Sequence, residues 1–333
     1  MRAYVIGAAL VGSVSAAFLL AANLGAGNAL SAQDFVDLQQ GSTAHAGFRR
    51  AHAKGFCVAG DFISSGALAP YSSAAVLQAG RYPFIGRFSI AGNNPLAPDL
   101  KAPVRSFAIT LLPETAQQWR IAMNTPPVLA VGTPEKFYLQ LQAIQNNSVP
   151  QFFAEHPESQ AFVKWRSTYQ ASSSFASERY HSINAFYLQN AAGQQQAVKW
   201  AAVPMLTSTI SSELDETDAD ALQKEFFARL NAGMVSFDWQ FTLGTAADDE
   251  NNATVLWPDS NVQISAGVLQ IHHATEQLDG NCNALNFDPL VLPRGVAPTA
   301  DPILRARAAA YAESHRRRAR EVLVQSVVGE QHE

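Results

Sequence analysis

Cysteine occurs only twice in the 333 residues, at Cys57 and Cys282. Two thiols so far apart make no zinc motif, and a disulfide between them is permitted but not fixed by sequence. Charged residues are also scarce, 15% of the chain, with a net charge of -5. That balance excludes a nucleic-acid partner for the molecule as a whole. No G-x-S-x-G, H-E-x-x-H, phosphate-loop or dinucleotide glycine pattern is present. His272 and His273 are adjacent, so in a strand they face opposite sides and make weak metal ligands. No internal repeat and no low-complexity segment occurs.

Charge is absent altogether between Arg2 and Asp34. A basic residue, an apolar run and small residues up to Ala32 match a secretory signal. The run Ala3–Leu24 is also long enough to span a bilayer, so an uncleaved anchor is the alternative. Residues 1–32 are therefore read as signal peptide or membrane anchor, with the folded domain over 33–333. Both readings send that domain to the periplasm, free or tethered through residues 3–24, an oxidising setting for the two cysteines.

Within the domain, FCVAGDFI, RYPFIGRFSIAG and VRSFAITLLP read as strands, as do INAFYLQN, QQAVKWAAVP, VSFDWQFTLG and VQISAGVLQIHH. Amphipathic spacing predicts helix over 134–170 and over 213–232. Strands in hairpin order with helices in blocks suggest an α+β fold, an antiparallel β-barrel surrounded by helices.

The basic residues that do occur concentrate in RARAAAYAESHRRRAR, residues 305–320. Pro302 after Asp301 suits a helix start, and Leu304, Arg307, Tyr311, His315, Arg318 and Val322 then fall on one stripe. One reading is a surface helix with cation–π contacts, or a basic strip for an acidic partner. The sharper reading puts the Arg307 cation beside the phenol of Tyr311. Free tyrosine titrates near ~10, so an ionised phenol at neutral pH needs such a cation or a metal. Tyrosinate is one of the few protein ligands that haem iron accepts. A second concentration is FRRAHAKGF, where Arg49 precedes His52 by three residues. In GRFSIAG, Arg87 and Ser89 alternate, so in a strand they share one face.

These stretches together resemble the monofunctional haem catalase family, closest to its short branch, the catalase-related peroxidases. FRRAHAKGF resembles the family's R-x-x-H-A-K-G, GRFSIAG its R-F-S strand, and LRARAAAYAESHRRR its R-x-x-x-Y-x-x-x-H-R-x-R. SINAFYLQN, AVKWAAVP, VLWPDSNVQISAGVLQI and NFDPLVLPRGVAPTADP follow in the family's order. The resemblance implies haem b, with Tyr311 as axial iron ligand and Arg307 holding it ionised. It implies His52 as distal catalytic base, oriented by Ser89. It assigns Arg49, Arg87 and Arg318 to the haem propionates and Phe287 to an aromatic contact with the ring. The implied activity is reduction of hydrogen peroxide or organic hydroperoxides by an external electron donor of unknown identity. Slow catalase activity is the alternative, followed by hydroperoxide isomerisation or non-catalytic haem binding. Two departures bear on the choice. The family's N-N-T-P run is MNTP here, which puts Met123 where the distal asparagine is expected, and the chain stops soon after the Tyr311 helix. Both push the expectation from catalase towards peroxidase.

Overall fold

The computed structural model describes residues 30–112, 117–206 and 214–330. The leader assigned to 1–32 lies almost wholly outside them, and no described helix is long and apolar enough to cross a membrane. Helix α1 (Ala32–Gln40) starts at Ser31, whose hydroxyl accepts from the Asp34 N–H at 3.2 Å. The Asp34 carboxylate in turn accepts from the Ser31 N–H at 2.8 Å, completing a capping box.

Eight strands close an antiparallel barrel among the described residues. They are β1 (Gly55–Ser64), β2 (Gly80–Ile90), β3 (Arg105–Leu111), β4 (Trp119–Asn124), β5 (Tyr180–His181), β7 (Gln195–Pro204), β8 (Val235–Leu243) and β9 (Gln263–Glu276). Pairing of β9 with β1 and of β7 with β8 completes the ring, and β6 (Phe186–Gln189) and β10 (Val296–Pro298) extend it beside β7. Closure leaves the eight barrel strands without an open edge.

Alternation along the strands explains the core. In β8 Val235, Phe237, Trp239, Phe241 and Leu243 point inward and the residues between them do not. Phe56, Phe88, Phe107, Met123, Trp119, Tyr180 and Trp200 join them from the other strands. Phe88 and Phe107 stack with centroids 4.3 Å apart. Helix α5 (Ala221–Ala232) contributes Leu222 and Phe226 to the same core.

The same alternation creates the outer face that matters for function. Phe56, Phe88, Phe107 and Met123 form one inward row across β1–β4. The neighbouring rows must therefore face outward: Gly55, Ser89, Ser106 and Asn124, then Cys57, Arg87, Ala108 and Ala122. Helix α6 (Pro302–Glu330) provides the opposite wall, Tyr311 packing in one apolar cluster with Cys57, Ile85 and Ala108.

The helical stretch expected over 134–170 is divided into α2 (Pro134–Gln145), α3 (Val149–Glu155) and α4 (Gln160–Thr168). Asn147 adopts a positive φ of 54°, and Pro150 and Pro157 start new turns, so one continuous helix is impossible. The helix expected from 213 starts only at Ala221. The Asp99 carboxylate, from a distant loop, accepts from the Leu222 and Gln223 N–H groups at 3.1 Å each and sets the start.

Because Phe88 is fully buried among six other aromatic rings, Phe88→Ala should destabilise the chain by about 3–5 kcal/mol. Denaturant unfolding measures this, and a loss below about 1 kcal/mol would mean that Phe88 does not fill the barrel.

Candidate haem site

His52 lies in the loop before β1 with φ 56°, a left-handed conformation that costs a non-glycine residue energy. Its surroundings impose it. Arg87 Nη2 donates to the carbonyls of His52 at 2.9 Å and Ala53 at 3.1 Å, and the Ala53 N–H donates to Gly92 O at 2.9 Å. The His52 residue is half-buried, with one edge of the ring towards the outer face of β3. Its Nδ1 is 3.2 Å from the hydroxyl of Ser106, which donates to Asn124 Oδ1. With the single hydroxyl proton used there, Nδ1 carries the ring proton and Nε2 is left as the free base. Burial first, then the cations of Arg87, Arg307 and Arg49, lowers the His52 pKa to about 4. The ring is therefore neutral at physiological pH.

Two expectations are corrected by this geometry. The hydroxyl that meets the His52 ring belongs to Ser106 on β3, whereas Ser89 stands beside it on β2 as its cross-strand partner. Met123 does not occupy the distal position either: it is fully buried inside the barrel. Asn124, next along the alternating strand, faces the pocket and pairs with Ser106. The chain thus retains a distal amide.

On the opposite wall the Arg307 guanidinium lies over the Tyr311 ring, 5.9 Å from its centroid. Arg307 donates to Asn184 Oδ1, and Asn184 Nδ2 donates to the buried carboxylate of Asp301 at 2.7 Å. Asp301 also accepts from the Ile303 N–H at 2.9 Å, so the residue that starts α6 also anchors Arg307 through Asn184. Burial raises the Asp301 pKa, against the hydrogen bonds from Asn184 and Ile303. Asn184 was visible only as part of SINAFYLQN, and Asp301 only as a helix start.

Arg49, Arg87 and Arg318 converge on the pocket. Arg87 and Arg318 are 2% and 5% exposed, and Arg49 is half-buried. Arg49 Nη2 donates to the carbonyls of Cys282 at 3.2 Å and Leu285 at 2.9 Å, and its guanidinium lies 5.8 Å from the centroid of the Phe287 ring. Arg318 donates to Asn283 O and, at 3.4 Å, to Leu285 O. Among the described residues none of the three forms an ion pair with a carboxylate. The cost is visible in their titration. Burial, then Arg87 and Arg318, pulls Arg49 well below the usual range. Burial and Arg318 lower Arg87 to about 9, and burial and Arg50 lower Arg318 to about 10. Among the described residues the Nε groups of Arg87 and Arg318 are buried without a hydrogen-bond partner. By contrast Arg316 and Arg317 pair with Glu313, and Arg317 reaches Asp37, so these arginines of the basic run are a surface feature.

Phe287, Leu285, Ile85, Ala108, Tyr311 and the bonded pair Cys57–Cys282 form the apolar lining between the two walls. His272, set aside above, binds Asp61 at 3.0 Å on the exterior, and the described residues contain no cluster of three or more metal-ligating His, Cys, Asp or Glu. An apolar lining, three cations lacking a carboxylate, a phenol on one wall and a neutral imidazole on the other fit a flat apolar ring with two acidic arms. Haem satisfies that description.

The profile of the Catalase family matches residues 32–327. The chain belongs to the catalase family. It is 31% identical over 285 residues to the catalase-related peroxidase of Synechococcus elongatus, covering 82% of this chain and 84% of that one. The catalase-related peroxidase of Mycolicibacterium paratuberculosis is 27% identical, with 81% and 89% covered. Catalase A of Pseudomonas putida is 26% identical, and the chain spans 61% of its length. A bacterial catalase structure superposes with a TM-score of 0.70 at 20% identity, covering 83% of this chain and 58% of that one, which establishes the fold. Set against the family's N-N-T-P run, strand alternation gives the single asparagine of MNTP to the pocket.

Asn124→Leu should slow reaction with peroxide by roughly tenfold, because it removes the acceptor of the Ser106 hydroxyl that orients His52. Met123→Leu, a volume-conserving core change, should leave that rate unaltered and cost less than about 1.5 kcal/mol of stability. The reverse pattern in rapid-mixing kinetics would restore Met123 to the pocket.

Proposed function

We propose that this chain is a haem b peroxidase that reduces hydrogen peroxide or organic hydroperoxides at the expense of an external electron donor. The observation that carries the reading is that a neutral His52, held at Ser106, and Tyr311, under the Arg307 guanidinium, both lie within the field of the same arginines, Arg49 and Arg87. Arg49, Arg87 and Arg318 would hold the two propionates, Phe287 and its neighbours the ring, and Tyr311 the iron. The haem, when bound, supplies the redox centre that takes the oxidising equivalents of the peroxide.

The protein's own part is proton handling and orientation. His52 Nε2 accepts the proton of the peroxide's inner oxygen and returns it to the outer oxygen as the O–O bond breaks, so that water or an alcohol leaves. The Ser106 hydroxyl and Asn124 hold the imidazole in the tautomer that makes this possible. Arg307, fixed by Asn184 and Asp301, keeps a cation beside the phenol of Tyr311, the residue that would hold the iron. Over a full cycle the donor provides two electrons and two protons per O–O bond. A haem carrier would have no use for the oriented base, which speaks against that alternative. The relatives named catalase-related peroxidases support peroxidase over catalase, while the retained Asn124 removes one argument for that choice. Dye oxidation compared with oxygen evolution on one preparation decides between them. Donor-independent oxygen evolution outrunning dye turnover would mean a catalase.

Export to the periplasm, with or without a tether through residues 3–24, belongs to the same proposal. The uncharged leader supports it, and so does a buried disulfide of the kind favoured in oxidising compartments. Recovery of the whole chain from the cytosol on fractionation would contradict it.

Three outcomes test the site. Tyr311→Phe should lose haem or change the ferric absorption spectrum, and an unaltered spectrum would remove Tyr311 as ligand. His52→Ala should bind haem yet react with peroxide about 10²–10⁴-fold more slowly. The third is a pH profile. A protonated His52 cannot accept the peroxide proton, so the rate is lost only as pH falls towards the lowered pKa of about 4. The rate should stay level from pH 8 down to roughly 5.5, whereas an unperturbed histidine near ~6.5 would already cut it roughly tenfold by that pH.

A further inference from the structure

The segment Asp279–Phe287 has no regular secondary structure, yet two of the three pocket arginines depend on it. Arg49 donates to its Cys282 and Leu285 carbonyls, and Arg318 to its Asn283 and Leu285 carbonyls. His315 on α6 approaches the Ala284 carbonyl at 3.0 Å, and Phe287 lies beneath the Arg49 guanidinium. The arginines repel one another, so they stay convergent only while these acceptors are fixed.

What fixes the segment is Cys282, bonded to Cys57 on β1, directly across from Arg87 in the β1–β2 register. Both cysteines are buried, 1% and 0% exposed, in the cluster that contains Phe287 and Tyr311. The segment also crosses β1 without room to spare. A Cβ on Gly280 would collide with Cys57 Sγ and sit 2.6 Å from Thr275 Oγ1. The sulfur pair is therefore a covalent stop on the loop whose carbonyls aim Arg49 and Arg318, placed inside the pocket lining itself.

We infer that the Cys57–Cys282 disulfide is a positioning device for the haem carboxylates, and that haem retention is under thiol control. Reduction by a dithiol breaks the S–S bond. Two electrons and two protons pass from the dithiol, which closes to its own disulfide, and Cys57 and Cys282 become thiols. The freed segment no longer holds its carbonyls against Arg49 and Arg318, the guanidiniums relax apart, and their grip on the propionates weakens. This inference rests on the haem reading and adds to it a redox control.

The experiment follows haem loss from the holoprotein to excess apoglobin, before and after treatment with dithiothreitol, with thiols counted. It is repeated with haem dimethyl ester, whose carboxylates are capped. The double variant Cys57→Ala, Cys282→Ala provides the unlinked state independently of how readily the buried bond is reduced. Opening the disulfide should speed haem loss by about tenfold, equivalent to about 1.4 kcal/mol, and change loss of the diester by less than about twofold. Equal acceleration of both pigments would mean a general loosening of the pocket and overturns the inference. Equal haem loss from the linked and unlinked proteins overturns it as well, while leaving the haem site intact. A linked protein that takes up neither pigment overturns the haem reading and this inference together.

Discussion

Three guanidinium groups without a carboxylate, gathered at one pocket, are the constraint on which the rest of this structure depends. Like charges at close range in a poorly solvated pocket oppose folding, and the lowered titration of Arg49, Arg87 and Arg318 registers that opposition. Backbone carbonyls from two sides offset part of it. Those of His52 and Ala53 take Arg87, and those of residues 282–285 take Arg49 and Arg318. The arrangement has two consequences beyond the cations themselves. Binding Arg87 fixes the His52 loop in its left-handed conformation, so the base is set by the same contact that sets an anion site. The cations also help keep that base neutral. In the proposed function, anion binding and acid–base chemistry are thus coupled through one arginine.

Much of the site was legible because it depends on local periodicity. Arg307 and Tyr311 lie one turn apart on any helix, and the structure keeps that spacing, with the guanidinium over the ring. Arg87 and Ser89 share a face of any strand, and both are on the outer face of β2. The concentration of chemistry in FRRAHAKGF needed no register at all. The barrel itself was legible from alternating strands bounded by turns, because burial of one face is what sets that pattern.

What was not legible depends on register between strands. Met123 and Asn124 are neighbours, and a shift of one residue exchanges core and pocket. The motif alignment placed Met123 in the pocket, but the inward row Phe56, Phe88, Phe107 and Met123 shows that the barrel core takes it. Met123 is apolar and fits there without cost, whereas Asn124 in the same row would leave a buried amide without partners. The physics of burial therefore outweighs the alignment. Ser106 escaped notice for a related reason. It lies in VRSFAITLLP, a run that reads only as a strand, and its meeting with His52 depends on a contact 54 residues apart.

Asn184 shows how a residue with no titratable group can still decide the chemistry opposite His52. It stands between Asp301 and Arg307, accepting from Arg307 and donating to Asp301. A direct Asp301–Arg307 ion pair would pull the guanidinium towards the carboxylate and neutralise much of its field at Tyr311. An amide in the middle orients Arg307 by hydrogen bonding while holding the negative charge a full residue away. The amide itself does not titrate, so within the link the group that responds to pH is the Asp301 carboxylate, whose pKa burial raises. The two walls of the pocket therefore differ in kind. In the proposed reaction the His52 wall moves a proton, and the Tyr311 wall keeps the cation beside the phenol in place.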